Sequence, residues 1–183
     1  MNKLALALAV TGALGLTVPA APISAASLET YEARSTATQA AAIANQHMLE
    51  VFGKTSLKPG QYLWREDAPE GAPRVVIGLG DQLAYLYHGN ELVAVAAISS
   101  GTDEHPTPKG IFEVRLKKPF HRSIKYDNAP MPFMQMFDQY GTALHAGHNP
   151  GYPASHGCVR LPSEFAKRLY AITGHGTTVM IGA

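Results

Sequence analysis

From Arg74 onward, short apolar runs alternate with polar positions and are separated by turn residues. Val75-Val76-Ile77-Gly78-Leu79 is a β-branched run, and Gly80-Asp81 after it makes a turn. Gln82 to His88 alternates, with Leu83, Tyr85 and Tyr87 on one face and Ala84 and Leu86 on the other. Gly89-Asn90 closes a hairpin, and Glu91 to Ile98 is the next strand. Ile111 to Leu116 alternates again, and Thr177 to Ile181 is a final strand. Short strands at this spacing predict a mainly β domain, a β-sandwich or open barrel rather than a parallel α/β sheet.

Two stretches carry a helical period instead. Thr36 to Phe52 fits an amphipathic helix marked by Ala40, Ile43, Met48 and Val51, with Gly53 as its stop. Ser163 to Thr173 fits a second, with Ser163 as N-cap, Glu164 in the first turn and Gly174-His175-Gly176 ending it. Ser56 to Pro73 reads as a turn-rich connector whose Trp64 packs on the domain. Pro119 to Thr142 reads as irregular, a binding loop or lid in which Tyr126 is a candidate pocket wall and Met131, Met134 and Met136 pack. The chain therefore divides into a leader over 1–25, an N-terminal helical arm and connector over 26–72, and a mainly β domain over 73–182. The arm is too small to fold alone, and its sequence leaves open whether it clasps the domain or holds it off a surface.

Met1-Asn2-Lys3 followed by the apolar run Leu4 to Leu16 and the small residues Ser24-Ala25-Ala26 has the pattern of a cleaved secretory signal peptide. The run is well short of the ~20 residues a spanning helix needs, so no stable membrane span is expected after cleavage. Removing residues 1–25 removes Lys3 and no acid, taking Lys+Arg from 15 to 14 against 14 Asp+Glu. A balance this close to zero gives no footprint for nucleic acid. Export also bears on Cys158, the sole cysteine, because an exported protein with an unpaired cysteine presents a reactive thiol or an intermolecular bridge.

That cysteine stands in Leu144-His145-Ala146-Gly147-His148-Asn149-Pro150-Gly151-Tyr152-Pro153-Ala154-Ser155-His156-Gly157-Cys158-Val159-Arg160. A thiol becomes a strong nucleophile when a base or a positive neighbourhood makes it a thiolate. Two histidines could do this. His156 is two residues away and shares a face with Cys158 if the backbone is extended; His145 lies 13 residues upstream, across a Pro/Gly-rich loop that could fold it back. Spacing alone does not choose between them. Gly157 admits a close backbone or ligand approach. A zinc site from His145, His148, His156 and Cys158 is disfavoured, because the spacings match no zinc motif and the segment holds no acid to act as base. Arg160 shares a face with Cys158 if extended, and its guanidinium suits a substrate carboxylate. Ser155 is expected to make a structural hydrogen bond.

His145, the loop after it and Ser155-His156-Gly157-Cys158-Val159-Arg160 resemble the active-site signature of the YkuD-type L,D-transpeptidases, cysteine enzymes of bacterial peptidoglycan. Thr107-Pro108-Lys109-Gly110 is similar to the T-P-x-G turn of that family, and the likeness runs from about Arg74 to Ile181. The resemblance implies a β-sandwich or open barrel of mixed strands with one or two short helices. It implies that Cys158 is the nucleophile and His145 the base, oriented by the Ala146 carbonyl. The amides of His156, Gly157 and Cys158 would form the oxyanion hole. Read from their own chemistry and position, Arg160, Ser155, Ala146, Tyr126 and His121 are the candidate substrate-binding residues. The implied reaction is attack on a stem tetrapeptide, release of D-Ala and transfer of the acyl group to an amine. The same site could instead act as an L,D-carboxypeptidase or endopeptidase, and the non-enzyme alternative is a wall-binding module. The partners are peptidoglycan stem peptides, with no cofactor and no metal, and a monomer in the periplasm or cell wall is expected. Only nine residues separate His145 from Ser155, a shorter loop than family members usually show, and Arg160 stands where many have asparagine. His105, His148 and His175 are read as loop histidines, and the Thr107 turn as shaping the sheet edge.

Overall fold

The computed structural model describes residues 28–67 and 69–183; the leader read in residues 1–25 lies outside them. Helix α1 (Tyr31–Phe52) is followed by β1 (Tyr62–Trp64), β2 (Pro73–Gly78), β3 (Leu83–His88), β4 (Glu91–Ala97) and β5 (Gly110–Glu113). Then come β6 (Leu116–Arg122), β7 (Pro130–Met136), β8 (Ala143–Ala146), β9 (Val159–Leu161), α2 (Ser163–Ile172) and β10 (Thr178–Gly182). The strands form a six-stranded sheet in the order β1-β4-β3-β2-β10-β5 and a four-stranded sheet in the order β6-β7-β8-β9. Each sheet contains one parallel pair, β2 with β10 and β8 with β9, among antiparallel neighbours. The fold is mainly β with mixed sheets. Among the described residues, no helix is long and apolar enough to cross a membrane.

The large sheet is buried on both faces, which explains why its strands are apolar at nearly every position. Its inner face, with Val75, Ile77, Leu86, Phe112 and Val179, packs on Leu144, Val159 and Leu161 of the small sheet and on Phe165 and Leu169 of α2. Its outer face, with Leu83, Tyr85, Tyr87 and Met180, is covered by α1. The helix presents Ala33, Ala37, Ala41, Ala44 and Met48 inward, while Ile43 and Val51 are exposed. Small side chains let it lie almost against the strands: a Cβ on Gly182 would sit 2.5 Å from the Ala37 carbonyl oxygen. The N-terminal helix is thus packed against the sheet.

Four local expectations differ from the structure. Helix α1 begins at Tyr31 rather than Thr36, because Thr30 caps it by accepting the Ala33 N–H at 3.2 Å, and the alanine stripe extends the buried face upstream. Pro162, not Ser163, occupies the N-cap of α2, with no side-chain cap hydrogen bond. The connector contains β1, an edge strand paired with β4, and its Trp64 packs edge-on against Phe165 at 5.7 Å between centroids. Pro119 to Thr142 is not irregular: β6 and β7 pair from Leu116↔Met136 to Arg122↔Pro130. Pro119 is tolerated because β6 is an edge strand, and Pro130 and Pro132 because β7 pairs with β8 only at Gln135 and Met136; β6–β7 pairing is interrupted at Pro119, opposite the stretch where Phe133 takes φ 56°.

Candidate active site

The parallel pairing of β8 and β9 places His145 beside Arg160 and Leu144 beside Val159, with Cys158 just ahead of β9. Side chains alternate across a strand, so Leu144, Ala146, Val159 and Leu161 enter the main core. Ala143 and His145, with Cys158 and Arg160, face the opposite way. There Cys158 packs beside Ala143, Met131 and Met134. His145 and Cys158 are diagonal neighbours on this face, a relation that spans about 7–8 Å of backbone and lets a ring reach a thiol.

The tautomer of His145 follows from one hydrogen bond. Its Nδ1 lies 2.8 Å from the Ala146 carbonyl oxygen, which can only accept, so Nδ1 carries the proton and Nε2 keeps a free lone pair. The ring is buried. Burial lowers its pKa below 6.5; the Ala146 carbonyl opposes this and the Arg160 charge adds to it. Burial pushes the Cys158 thiol up; the Ala143 backbone amide pulls it down, the Asp138 carboxylate pushes it up and Arg160 pulls it down. Both shifts disfavour the charged forms, the imidazolium and the thiolate.

The loop that carries Cys158 is held from behind. Gly157 takes φ 108°, so the backbone is not extended between His156 and Cys158, and a shared strand face does not relate these two side chains. The Thr107 hydroxyl donates to the Gly157 carbonyl at 2.8 Å and accepts the Gly101 N–H at 2.9 Å. The Thr102 N–H donates to the Ser155 carbonyl at 3.1 Å. In a trans peptide the carbonyl and the following N–H point in opposite directions, so the amides of His156 and Cys158 point away from the 99–110 loop. The Gly157 N–H is engaged, donating to Ser155 Oγ at 3.1 Å, while the Ser155 hydroxyl donates to the Cys158 carbonyl. Ser155 is a staple within the loop, and the Thr107 turn fastens that loop as well as shaping a sheet edge.

A cavity of about 940 Å³ opens over this face. Of the residues singled out in the sequence, Cys158, His145, His156, Ser155, Arg160, Ala146, Tyr126 and His121 line it, and Gly157 does not. His148, read as a loop histidine, also lies on its wall, as does Tyr140. His105, likewise read as a loop residue, packs against His156 with ring centroids 4.9 Å apart. Asp138 was missed. It is buried, it accepts the Tyr140 and Thr142 amides at 2.9 and 2.8 Å, and its charge reaches Cys158. Only its place in a loop ending at Ala143 could have flagged it. Arg160 lays its stem over Gly147, where a Cβ would stand 3.0 Å from Arg160 Cγ. Among the described residues no acid pairs with its guanidinium.

Several solved structures share this architecture. An L,D-transpeptidase from Xylanimonas cellulosilytica is 25% identical, with TM-score 0.57, covering 74% of this chain and 68% of that one. One from Stackebrandtia nassauensis is 24% identical, with TM-score 0.56, covering 63% and 58%. L,D-transpeptidase 3 from Mycobacterium tuberculosis, in complex with a faropenem-derived adduct, is 18% identical, with TM-score 0.55, covering 61% and 60%. The chain thus spans less than two thirds of the length of the latter two. No curated protein matches it. The YkuD family, the L,D-transpeptidase catalytic domain, matches residues 72–181, which is more than half of the chain and takes in β8, which carries His145, and the loop ahead of β9, which carries Cys158. This chain belongs to that family.

Proposed function

We propose that the protein is an exported peptidoglycan L,D-transpeptidase that works through Cys158. The observation that carries this reading is the His145–Ala146 hydrogen bond, which leaves Nε2 as a lone-pair acceptor on the face shared with the thiol. His145 takes the thiol proton as Cys158 Sγ attacks the carbonyl of the third residue of a stem tetrapeptide. The amides of His156 and Cys158 receive the developing oxyanion; their neighbouring carbonyls, pinned by Thr102 and Thr107, hold them in that direction beforehand. Collapse expels D-Ala, whose nitrogen takes the proton from His145. The acyl group then passes to an amine, forming a cross-link or attaching a protein. Arg160, which has no acidic partner among the described residues, binds a carboxylate of the stem peptide. The leader pattern over residues 1–25 supports action in the periplasm or cell wall. The L,D-transpeptidase 3 structure with its faropenem-derived adduct supports acylation of Cys158 by such drugs.

The test is mass spectrometry of tetrapeptide muropeptides incubated with the protein and with Cys158→Ala. Cysteine-dependent dimers are expected. Tripeptide monomers alone would make the enzyme an L,D-carboxypeptidase, and sacculus binding without either product would make it a wall-binding module.

A further inference from the structure

The tip of the β6–β7 hairpin is a tight, internally bonded turn. The Ser123 N–H donates to the Ala129 carbonyl at 2.9 Å, the Ala129 N–H to the Tyr126 carbonyl at 2.9 Å, and the Tyr126 N–H to Ser123 Oγ at 3.1 Å. Asp127 and Asn128 take φ 43° and 53° to complete it. The turn brings the Tyr126 ring back onto the nucleophile loop, where it stacks on His156 at 4.3 Å between centroids with 20° between planes. His105 packs against the same pair, 4.9 Å from His156 and 6.4 Å from Tyr126. Tyr126 and His156 line the cavity together with Cys158. The stack therefore bridges the two walls of the cleft, one from the hairpin and one from the nucleophile loop. Proton transfer between Cys158 and His145 does not need this bridge.

We propose that Tyr126 is a specificity-determining residue that favours an amine over water as acceptor of the acyl group. Its stack on His156 closes the hairpin side of the cavity and limits solvent at the Cys158 thioester. The proposal rests on the transpeptidase reading. In the productive step an amine nitrogen bonds to the thioester carbonyl carbon and the carbon–sulfur bond breaks. The proton lost by the amine travels through His145 to Cys158 Sγ. Water entering the same site yields the tripeptide acid and the same free thiol. The two fates compete for one intermediate, so their ratio reports on what the cavity admits.

The experiment measures dimer and tripeptide from disaccharide-tetrapeptide by mass spectrometry, with wild-type protein, Tyr126→Ala and Tyr126→Phe. Tyr126→Ala is expected to raise the tripeptide-to-dimer ratio about tenfold, while Tyr126→Phe, which keeps the ring and its stack, stays within about twofold of wild type. Compared at equal, low substrate conversion, the ratio does not depend on how much protein is folded, so simple destabilisation leaves it unchanged. Wild-type dimers with an unchanged ratio in Tyr126→Ala overturn the proposal alone. Wild-type protein that makes only tripeptide overturns the transpeptidase reading and the proposal with it.

Discussion

Thr107 and Gly157, 50 residues apart, are joined by a buried hydrogen bond in which the hydroxyl donates to the carbonyl at 2.8 Å. The same hydroxyl accepts the Gly101 amide, so it locks the orientation of the Gly157–Cys158 peptide. Thr107→Val keeps the shape and removes both bonds. We expect kcat to fall about tenfold to a hundredfold with little change in KM, because an oxyanion donor acts mainly in the transition state. Thr107→Ser should restore most of the loss. A folded Thr107→Val enzyme with wild-type kcat would remove this residue from the positioning of the loop.

As the proposed base, His145 should set the acid limb of the pH profile. Burial first, and the Arg160 charge against the Ala146 carbonyl, hold its pKa below 6.5. A general base acts only when neutral, so kcat/KM should stay level as the pH drops past 6.5 and decline only below it. Arg160→Met removes a positive neighbour and should move that limb upward. His145→Ala should lower kcat by about a hundredfold or more. An acid limb above 6.5 in the wild type would point to another proton acceptor.

Asp138 opposes ionisation of the nucleophile. Burial is the larger cause of the raised thiol pKa, and the Asp138 charge adds to it. Asp138→Asn keeps an oxygen acceptor for the Tyr140 and Thr142 amides while deleting the charge. Loss of a like charge favours the thiolate, so Cys158 in this variant should react with iodoacetamide at neutral pH faster by about twofold or more. An unchanged or slower rate would show that the charge does not govern the thiol.

Gly182 sets the distance between α1 and the large sheet. An added Cβ would meet the Ala37 carbonyl oxygen at 2.5 Å and Thr38 Cα at 2.6 Å, both backbone atoms. Gly182→Ala must therefore push the helix outward, at a cost of about 1–3 kcal/mol. Thermal unfolding should show the loss, and turnover by the folded fraction should stay close to wild type.

The strands from Val75 to Ala97 were legible because Gly80-Asp81 and Gly89-Asn90 punctuate them and their apolar residues are dense. The stop of α1 was legible for a related reason, since Gly53 takes the left-handed φ of 66° that glycine favours. The start of α1 was not, because alanines at 33 and 37 look neutral until a sheet lies against them. β1 was hidden by its three-residue length and edge position, and the β6–β7 hairpin by the prolines at 119, 130 and 132; at such places local preference is weak and pairing partners decide.

The candidate chemistry was readable locally. One cysteine, a histidine and a glycine in a row, with a second histidine upstream, mark a candidate nucleophile because thiol reactivity depends on close neighbours. Which groups share a face is a nonlocal property, and it was decided only by the fold. A strand's period of two assigns side chains to faces but does not say which strand lies alongside or in what register. The parallel pairing of β8 with β9 brought His145 diagonal to Cys158, the φ of Gly157 broke the extended relation between His156 and Cys158, and the hairpin delivered Tyr126 onto His156. These relationships arise from contacts between distant segments, which short-range sequence pattern does not encode.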